Sequence, residues 1–427
     1  MTAPFRFIHA ADLHLDSPFR GLAKAPEQVR EQLMAATISA LRQLTETAIR
    51  EQVDFVVLSG DLFDEADRSL KAQLQLVREW ERLEEQRIAV FVIHGNHDPL
   101  NGTRADLKLP ANVHVFGAEQ MAHRPAYRRS GELAAFVYGR SYGRRTVTEN
   151  WAASYRIQPE GPFHIALLHA NVDGDGSHDP YAPCTLVELA GAKGFDYWAL
   201  GHIHSRRVLH EYPHVVYAGN TQGRNPRETG AKGCYIVDVT AARAVELTFV
   251  PLDAVRWLDH KLEIDKAETE QALLQQMIEV SERYAAEADG RSIMLRFELI
   301  GRGPLHQSLS DKAVVKTLLE QLQEVLQLEG ETWIYVHRLE VNTSAMIHWQ
   351  ELTAENSFAG ELARLSERLG LDDAAWRDFA SAAVGPIAAH AKLGRLMRDE
   401  LNELPVRWLE QARELTLGLI HETDMES

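Results

Sequence analysis

The chain has little cysteine: its 427 residues include two, Cys184 and Cys234. Two thiols exclude a disulfide scaffold and point to a reduced, cytoplasmic setting. Long apolar runs are missing too. Those present are short and interrupted, so no segment is expected to span a bilayer. The opening Met1-Thr2-Ala3-Pro4-Phe5 lacks a basic stretch ahead of an apolar one, so no secretory signal is expected. There is no repeat of fixed period, no low-complexity tract and no GxxxxGK[ST] loop, so this chain is not itself an ATPase of that class. Net positive charge is also absent. The formal charge of −17 argues at first sight against nucleic acid as a partner. The acids are unevenly spread: residues 1–250 hold 27 Lys+Arg against 30 Asp+Glu, a net of −3, and residues 251–427 hold 18 against 32, a net of −14.

What remains is an ordinary globular composition, 45% apolar and 25% charged, long enough for two to three domains. The first 250 residues repeat one pattern, in which an apolar run that reads as a buried strand is followed at once by a polar cluster. The runs are Phe5–Ile8, Phe55–Leu58, Val90–Ile93, Ile165–Leu168 and Tyr197–Leu200. Helical patterns at about Pro26–Glu51 and Ser69–Gln86 separate the first three. Alternating strands and helices predict an α/β sheet with helices packed on it, and near-continuous apolar strands predict burial on both faces. The polar clusters then lie at the C-terminal strand ends, where such sheets place their sites.

The pattern changes near residue 256. Lys266–Glu287 and Asp311–Leu328 read as helices, Ser292–Ile300 and Trp333–Val341 as strands, together a small α/β unit. From Thr353 onward everything reads as helix. Phe358, Leu362, Leu365 and Leu369 form one stripe, and a second segment runs from about Ile387 to Ile420 with a break at Pro405. The expected division is therefore 1–255, 256–345 and 346–427.

Five polar clusters carry the chemistry: Asp12-Leu13-His14, Gly60-Asp61-Leu62-Phe63-Asp64, Gly95-Asn96-His97-Asp98, His169 with Asn171 nearby, and Gly201-His202-Ile203-His204. Alternate residues on an extended chain point the same way, so Asp12 with His14, and His202 with His204, are expected to reach one ion. Taken singly, each cluster is commonplace. Taken together, they bring carboxylates and imidazoles to one sheet edge, which is unfavourable unless cations neutralise them. The donors are oxygen and nitrogen without thiolate, which suits Mn²⁺, Fe²⁺ or Zn²⁺.

The order D-x-H, G-D-x-x-D, G-N-H-D, H, G-H-x-H resembles that of the calcineurin-like metallophosphoesterases. Within them, HAADLHLDSPF, VLSGDLFD, VIHGNHD and GHIH look like the SbcD-type DNA-repair nucleases, and most of all their YhaO-like branch. The motifs cover about residues 5–225. The resemblance implies a metallophosphoesterase β-sandwich flanked by helices over 1–255, a small α/β capping domain over 256–345 and a C-terminal helical region over 346–427. It implies that Asp12, His14, Asp61 and His204 bind one metal, and that Asp61 bridges to a second held by Asn96, His169 and His202, with Mn²⁺ as the ion. His97 takes the place of the catalytic histidine, with Asp98 orienting it, and Asp64 stands where some relatives carry His. Two such ions, about 4 Å apart, acidify a water and neutralise phosphate oxygens.

The implied activity is two-metal DNA hydrolysis, 3′→5′ exonuclease and single-strand endonuclease, in DNA repair. The alternatives are a small-molecule phosphodiesterase acting on cyclic nucleotides, or a subunit serving chiefly as partner of an ATPase. Candidate DNA contacts are Arg128, Arg129, Arg144, Arg145, Arg206 and Arg224, with Arg124, Arg140, Arg207, Arg227 and Lys232 nearby in sequence and Asn220, Gln222 and Asn225 adding polar groups. Tyr138, Tyr142 and Trp151 are weaker candidates for base stacking, with core packing the competing reading. Implied partners are DNA, an SMC-like ATPase of SbcC type docked on the C-terminal helices, and a second copy of the chain; no membrane partner is expected.

Overall fold

The computed structural model describes residues 3–17, 19, 25–64, 68–102, 105, 107–157, 160–174, 176, 179–191, 194–326, 330–346, 349–390, 408–413 and 415–417. The chain divides into two compact units, one of residues 1–259 with 281–296 and 326–337, the other of residues 260–280, 297–325 and 338–427.

The expected strands form, as β1 (Phe5–Ala10), β2 (Phe55–Ser59) and β3 (Ala89–Ile93), linked by helices α1 (Glu27–Arg50) and α2 (Leu70–Glu85). The Ser69 hydroxyl caps α2 by accepting from the Ala72 amide at 3.1 Å. After the short β4 (Val113–Val115), a second series begins: β5 (Ala122–Tyr127), β6 (Leu133–Gly139), β7 (His164–His169), the short helix α3 (Leu186–Ala190), β8 (Tyr197–Gly201), β9 (Arg207–Glu211) and β10 (His214–Tyr217). The chain then returns through β11 (Gly233–Val239) and β12 (Val245–Pro251). Two six-stranded sheets result, ordered β12-β11-β1-β2-β3-β4 and β5-β6-β7-β8-β10-β9.

This is the β-sandwich flanked by helices that the motifs implied, and it explains the unbroken apolar runs. Phe7, Phe55, Val57 and Phe91 of the first sheet meet Ile165, Leu167, Tyr197 and Ala199 of the second in one core. The alternate residues Ile8, Val56, Leu58, Val90 and Val92 pack outward against Leu41, Leu44, Leu76 and Trp80 of α1 and α2. Ala166, Leu168, Trp198 and Leu200 are likewise covered on the far side, by Tyr142, Trp151, Tyr155 and Leu189. Each central strand is thus buried on both faces. Tyr138, Tyr142 and Trp151 belong to that last core, so packing and not base stacking is their role. The edge strands β5, β9 and β12 were not read from the sequence, because they lack a run of buried apolar residues: Ala126 is the one fully buried residue among them.

The polar clusters follow strands of both sheets. β1 runs parallel to β2 and β2 to β3, while β6, β7, β8 and β10 are mutually parallel. Their C-terminal ends therefore carry Asp12, His14, Asp61 and Asn96 from one sheet, and His169, His202 and His204 from the other.

Beyond residue 254, β13 (Val255–Glu263), β14 (Ser292–Arg302) and β15 (Ile334–Ser344) form a three-stranded sheet in sequence order. The helices there are α4 (Glu270–Glu287), α5 (His306–Ser310) and α6 (Lys312–Val325), followed by α7 (Trp349–Ala354), α8 (Phe358–Leu371) and α9 (Asp373–Ala388). The C-terminal reading needs correction in part. Phe358 and Leu365 are exposed, while Leu362 and Leu369 are partly buried and pack against small clusters, and the fully buried residues of α8 are Gly360, Ala363 and Ser366. Ile387 lies near the end of a helix that begins at Asp373, where the Asp372 carboxylate caps the Ala374 and Ala375 amides. Pro405 lies outside the described residues.

Phe7 tests the inter-sheet core, being stacked on Phe55 at 5.2 Å and edge-on to Tyr197 at 5.4 Å. Phe7→Ala should lower the unfolding free energy by about 3–5 kcal/mol in urea titrations at an unchanged m-value.

Candidate metal centre

The loops after the strands are bent in an unusual way. Asp12, His14, Asp61 and His202 all have left-handed backbone, with φ of 51°, 44°, 49° and 95°. Such conformations cost about 1–3 kcal/mol each and persist where surrounding structure enforces them. The Asp12 amide donates to Gly60 O at 3.0 Å, His14 to Asp61 O at 3.0 Å and Leu15 to Leu62 O at 2.9 Å. Asp12 and His14 therefore converge through left-handed turns, and the expected extended alternation is wrong for both D-x-H and H-x-H. The glycines make room for ligands. A Cβ on Gly60 would strike the His169 ring, and one on Gly95 would strike both the Asp61 carboxylate and that ring.

Asp12, His14 and His204 form one group whose ligand atoms lie within 4.8 Å of one another. The Nε2 atoms of His14 and His204 stand 3.1 Å apart. His204 Nδ1 donates to Glu228 Oε1 at 2.8 Å, which leaves its Nε2 facing His14. Burial, reinforced by the nearby Arg224 charge, pushes His14 down to about 3 and keeps it neutral. Its Nδ1 lies 3.1 Å from Asp64 Oδ1 but off the hydrogen-bond axis. If the His14 proton is on Nε2, the Nδ1 lone pair faces a carboxylate; if it is on Nδ1, the bare His14 Nε2 faces the His204 ring nitrogen. A cation between the Nε2 atoms removes the conflict, leaving each Nδ1–H toward its own carboxylate.

Asp12, Asp61 and His169 form a second group, fully buried. His169 Nδ1 donates to Ser59 O at 2.9 Å, while its Nε2 faces Asn96 Oδ1 at 3.0 Å and Asp61 Oδ2 at 3.3 Å. Burial alone would lower the His169 pKa, but the Asp61 and Asp12 charges outweigh it and raise it to about 9. The same His169 charge holds Asp61 well below the usual carboxylate range despite its burial, whereas burial pushes Asp12 up. A proton on Nε2 thus occupies the position of positive charge that a metal ion would take. Asp61 Oδ2 is also 3.9 Å from His14 Nε2, so one carboxylate faces both groups. The His202 ring lies 5.3 Å from that of His169; its Nε2 donates to Asp179 O at 2.9 Å, and its amide donates to the Asp12 carboxylate at 3.0 and 3.1 Å. The donor set fits a pair of divalent ions.

His97 stands at the rim, with its side chain 32% exposed. Its amide donates to Asp61 Oδ1 at 2.9 Å and its Nδ1 to Asp64 O at 2.7 Å, leaving Nε2 for proton exchange. The expected role of Asp98 is corrected. That carboxylate is fully buried and accepts from the Leu62 amide at 3.0 Å, the Gly95 amide at 2.8 Å and His94 Nδ1 at 2.8 Å. It ties the second and third motif loops together and does not bond to His97. Glu228 was missed in the sequence because it lies in the glycine-rich loop between β10 and β11, well past the strand end and outside the clusters that follow directly on an apolar run.

The arginines separate into distinct settings. Arg224 is 13% exposed, paired with Asp64 and bonded to Ser17 Oγ at 3.2 Å, so it braces the ligand loops and is not an open DNA contact. Arg128 pairs with Glu132, and the Arg129 amide donates to Asp54 Oδ1 at 2.9 Å. Asp54 precedes β2 and Asp61 follows it, so this pair sits at the opposite end of the sandwich, ~20 Å from the clusters at about 3.3 Å per residue. Arg144, paired with exposed Glu149, and exposed Arg145 follow β6 and so lie at the metal end. Arg206 is also at that end, over the Phe249 ring at 3.9 Å.

Glu228→Gln removes the negative charge behind His204 and should weaken divalent-ion binding by about 10–100-fold in calorimetric titration. Asp98→Ala leaves two buried amides without acceptors and should cost about 3 kcal/mol of unfolding free energy.

A family model for calcineurin-like phosphoesterases matches residues 5–206, and one for the middle domain of metallophosphoesterase YhaO matches residues 257–344. The chain is 40% identical over 374 residues to a Bacillus subtilis protein named uncharacterized metallophosphoesterase YhaO, a match over 87% of this chain and 90% of that one. It is 32% identical over 208 residues to the DNA double-strand break repair protein Mre11 of Sulfurisphaera tokodaii, spanning 48% of this chain and 50% of that protein. To the D component of nuclease SbcCD from Staphylococcus epidermidis it is 23% identical over 278 residues, 60% of this chain and 71% of that one. Among the described residues no helix is long and apolar enough to cross a membrane. Similar to a YhaO protein over nearly its whole length, and with its Asp and His groups gathered where two sheets end together, this chain belongs to the calcineurin-like metallophosphoesterases.

Proposed function

We propose that this metallophosphoesterase is a two-metal DNA nuclease that hydrolyses phosphodiester bonds. The observation that carries the reading is the pair of imidazoles, His14 and His204, whose Nε2 atoms meet at 3.1 Å beside two buried carboxylates, with His97 exposed at the rim. The similarity to Mre11 and SbcD proteins supports DNA as the substrate. Asp12, His14 and His204 would hold one ion, and Asn96, His169 and His202 the other, with Asp61 facing both. Oxygen and nitrogen donors without thiolate suit Mn²⁺, Fe²⁺ or Zn²⁺, and the family resemblance favours Mn²⁺ among them.

The bound pair supplies Lewis acidity and neutralises the phosphate charge. The remaining work belongs to the protein. Asp64 and Glu228 orient the rings of His14 and His204, Ser59 O orients His169, and Asp179 O orients His202. His97, pinned through Nδ1, presents Nε2–H to the departing ester oxygen and protonates it.

We adopt the three-part division 1–255, 256–345 and 346–427 for nuclease, capping and helical regions. The family resemblance makes an SMC-like ATPase of SbcC type and a second copy of the chain the partners to test first. Exposed Phe358, Leu365 and Leu371 on α8 offer apolar surface in the helical region.

Purified protein with Mn²⁺ should degrade end-labelled DNA, and a chelator should abolish this. His97→Ala should lower kcat by about 10²–10⁴-fold while divalent-ion binding persists. Rapid turnover of cyclic nucleotides without DNA cleavage would replace the nuclease reading with that of a small-molecule phosphodiesterase.

A further inference from the structure

A pocket of about 240 Å³ adjoins the metal centre, and no role in hydrolysis has been given to it. Its wall is formed by His204–Arg206, Ala218–Asn220, Thr229–Gly233 and Phe249. The pocket lies at the metal end of the sandwich. β10 ends there, and β11, antiparallel to β1, begins there. His204 belongs to both the pocket and the first metal group.

Two cations line the pocket, and neither has an acidic partner among the described residues. Lys232 is 8% exposed, yet its ammonium group has one polar contact, His204 O at 3.3 Å. The neighbouring Glu228 carboxylate is committed to His204, Asn220 and the Arg224 amide. Arg206 is held by Ala231 O at 2.9 Å and by the Phe249 ring face, which fixes the guanidinium without neutralising it. Asp253, the other carboxylate near Lys232, is paired with Arg256 and Arg291, so the buried ammonium group has no direct ion pair; that is unfavourable, as is a second cation beside it. By contrast, Arg224 is matched by Asp64, and Arg256 by Asp253 at 2.7 Å. Gly219, with φ of 75°, keeps the wall low, since a Cβ there would lie 2.8 Å from His204 O.

We propose that this pocket is a phosphate subsite, in which Arg206 and Lys232 bind a second phosphate of a polynucleotide while the metal centre holds the scissile one. The inference rests on the nuclease reading and deepens it, because it makes the enzyme selective for substrates with at least two phosphates in series. Arginine and lysine supply complementary contacts, a fixed fork and a point charge, and neither reads base identity.

The test compares full-length wild type with Arg206→Gln and Lys232→Met. Arg206 is exposed, so its variant remains informative even if Lys232→Met does not fold. Three quantities are measured: the ratio of kcat/KM for a single-stranded oligonucleotide to that for bis(p-nitrophenyl) phosphate, the salt dependence of oligonucleotide affinity, and inorganic phosphate binding by calorimetry. The ratio should fall about tenfold in each variant. The slope of log affinity against log salt should become shallower by about 0.7 per cation removed, which a purely structural role would not produce. Phosphate binding should weaken about tenfold as well. An unchanged ratio and slope in Arg206→Gln would overturn the subsite. If wild type cleaves the aryl diester but not the oligonucleotide, the nuclease reading fails instead. Phosphate calorimetry then decides the pocket: weaker binding in the variants upholds it, and equal binding overturns it.

Discussion

The structure is organised around the neutralisation of charge at the end of a β-sandwich. Asp12 and Asp61 are buried there with His14, His169 and His202, and His204 is largely buried beside them. In such a medium neither unpaired carboxylates nor opposed lone pairs are stable. A proton on His169 offers a partial remedy, and divalent ions offer a complete one. The left-handed turns at Asp12, His14, Asp61 and His202 follow from this requirement, since they aim side chains inward that ordinary strand ends would scatter.

Precision comes from the groups behind the ligands. Asp64 and Glu228 stand behind His14 and His204, backbone carbonyls of Ser59 and Asp179 hold His169 and His202, and Asp98 ties two motif loops together. Arg224 links Asp64 with the Glu228 loop, so the supports of both imidazoles move as one. These contacts join segments far apart in sequence, and the rigid double sheet makes their registration possible.

The cations show how an acidic protein can still receive phosphates. A formal charge of −17 describes the whole chain, but residues 251–427 carry a net −14 of it. At the metal end the first unit offers Arg144, Arg145, Arg206 and Lys232. Local field at a cleft matters more than net charge for a polyanionic substrate.

Much of this was legible in the sequence. Double-sided burial makes the central strands read as apolar runs, and Asp, His and Asn stand directly after them because strand ends are where side chains leave the sheet. The motif order therefore named the ligand candidates. Edge strands were not legible, since they carry no run of fully buried apolar residues. The α8 face was legible only in part: Leu362 and Leu369 pack inward, but Phe358 and Leu365 are exposed and small residues are the fully buried ones. The assignments of Asp98, Arg224, Arg128 and Arg129 depended on which carboxylate or carbonyl lies within three ångströms, a matter of long-range contact. Residue order determined which chemical groups arrive at each strand end. Only the tertiary structure decided which of them face one another, because hydrogen bonds and charge pairs act over distances far shorter than the chain separations they connect.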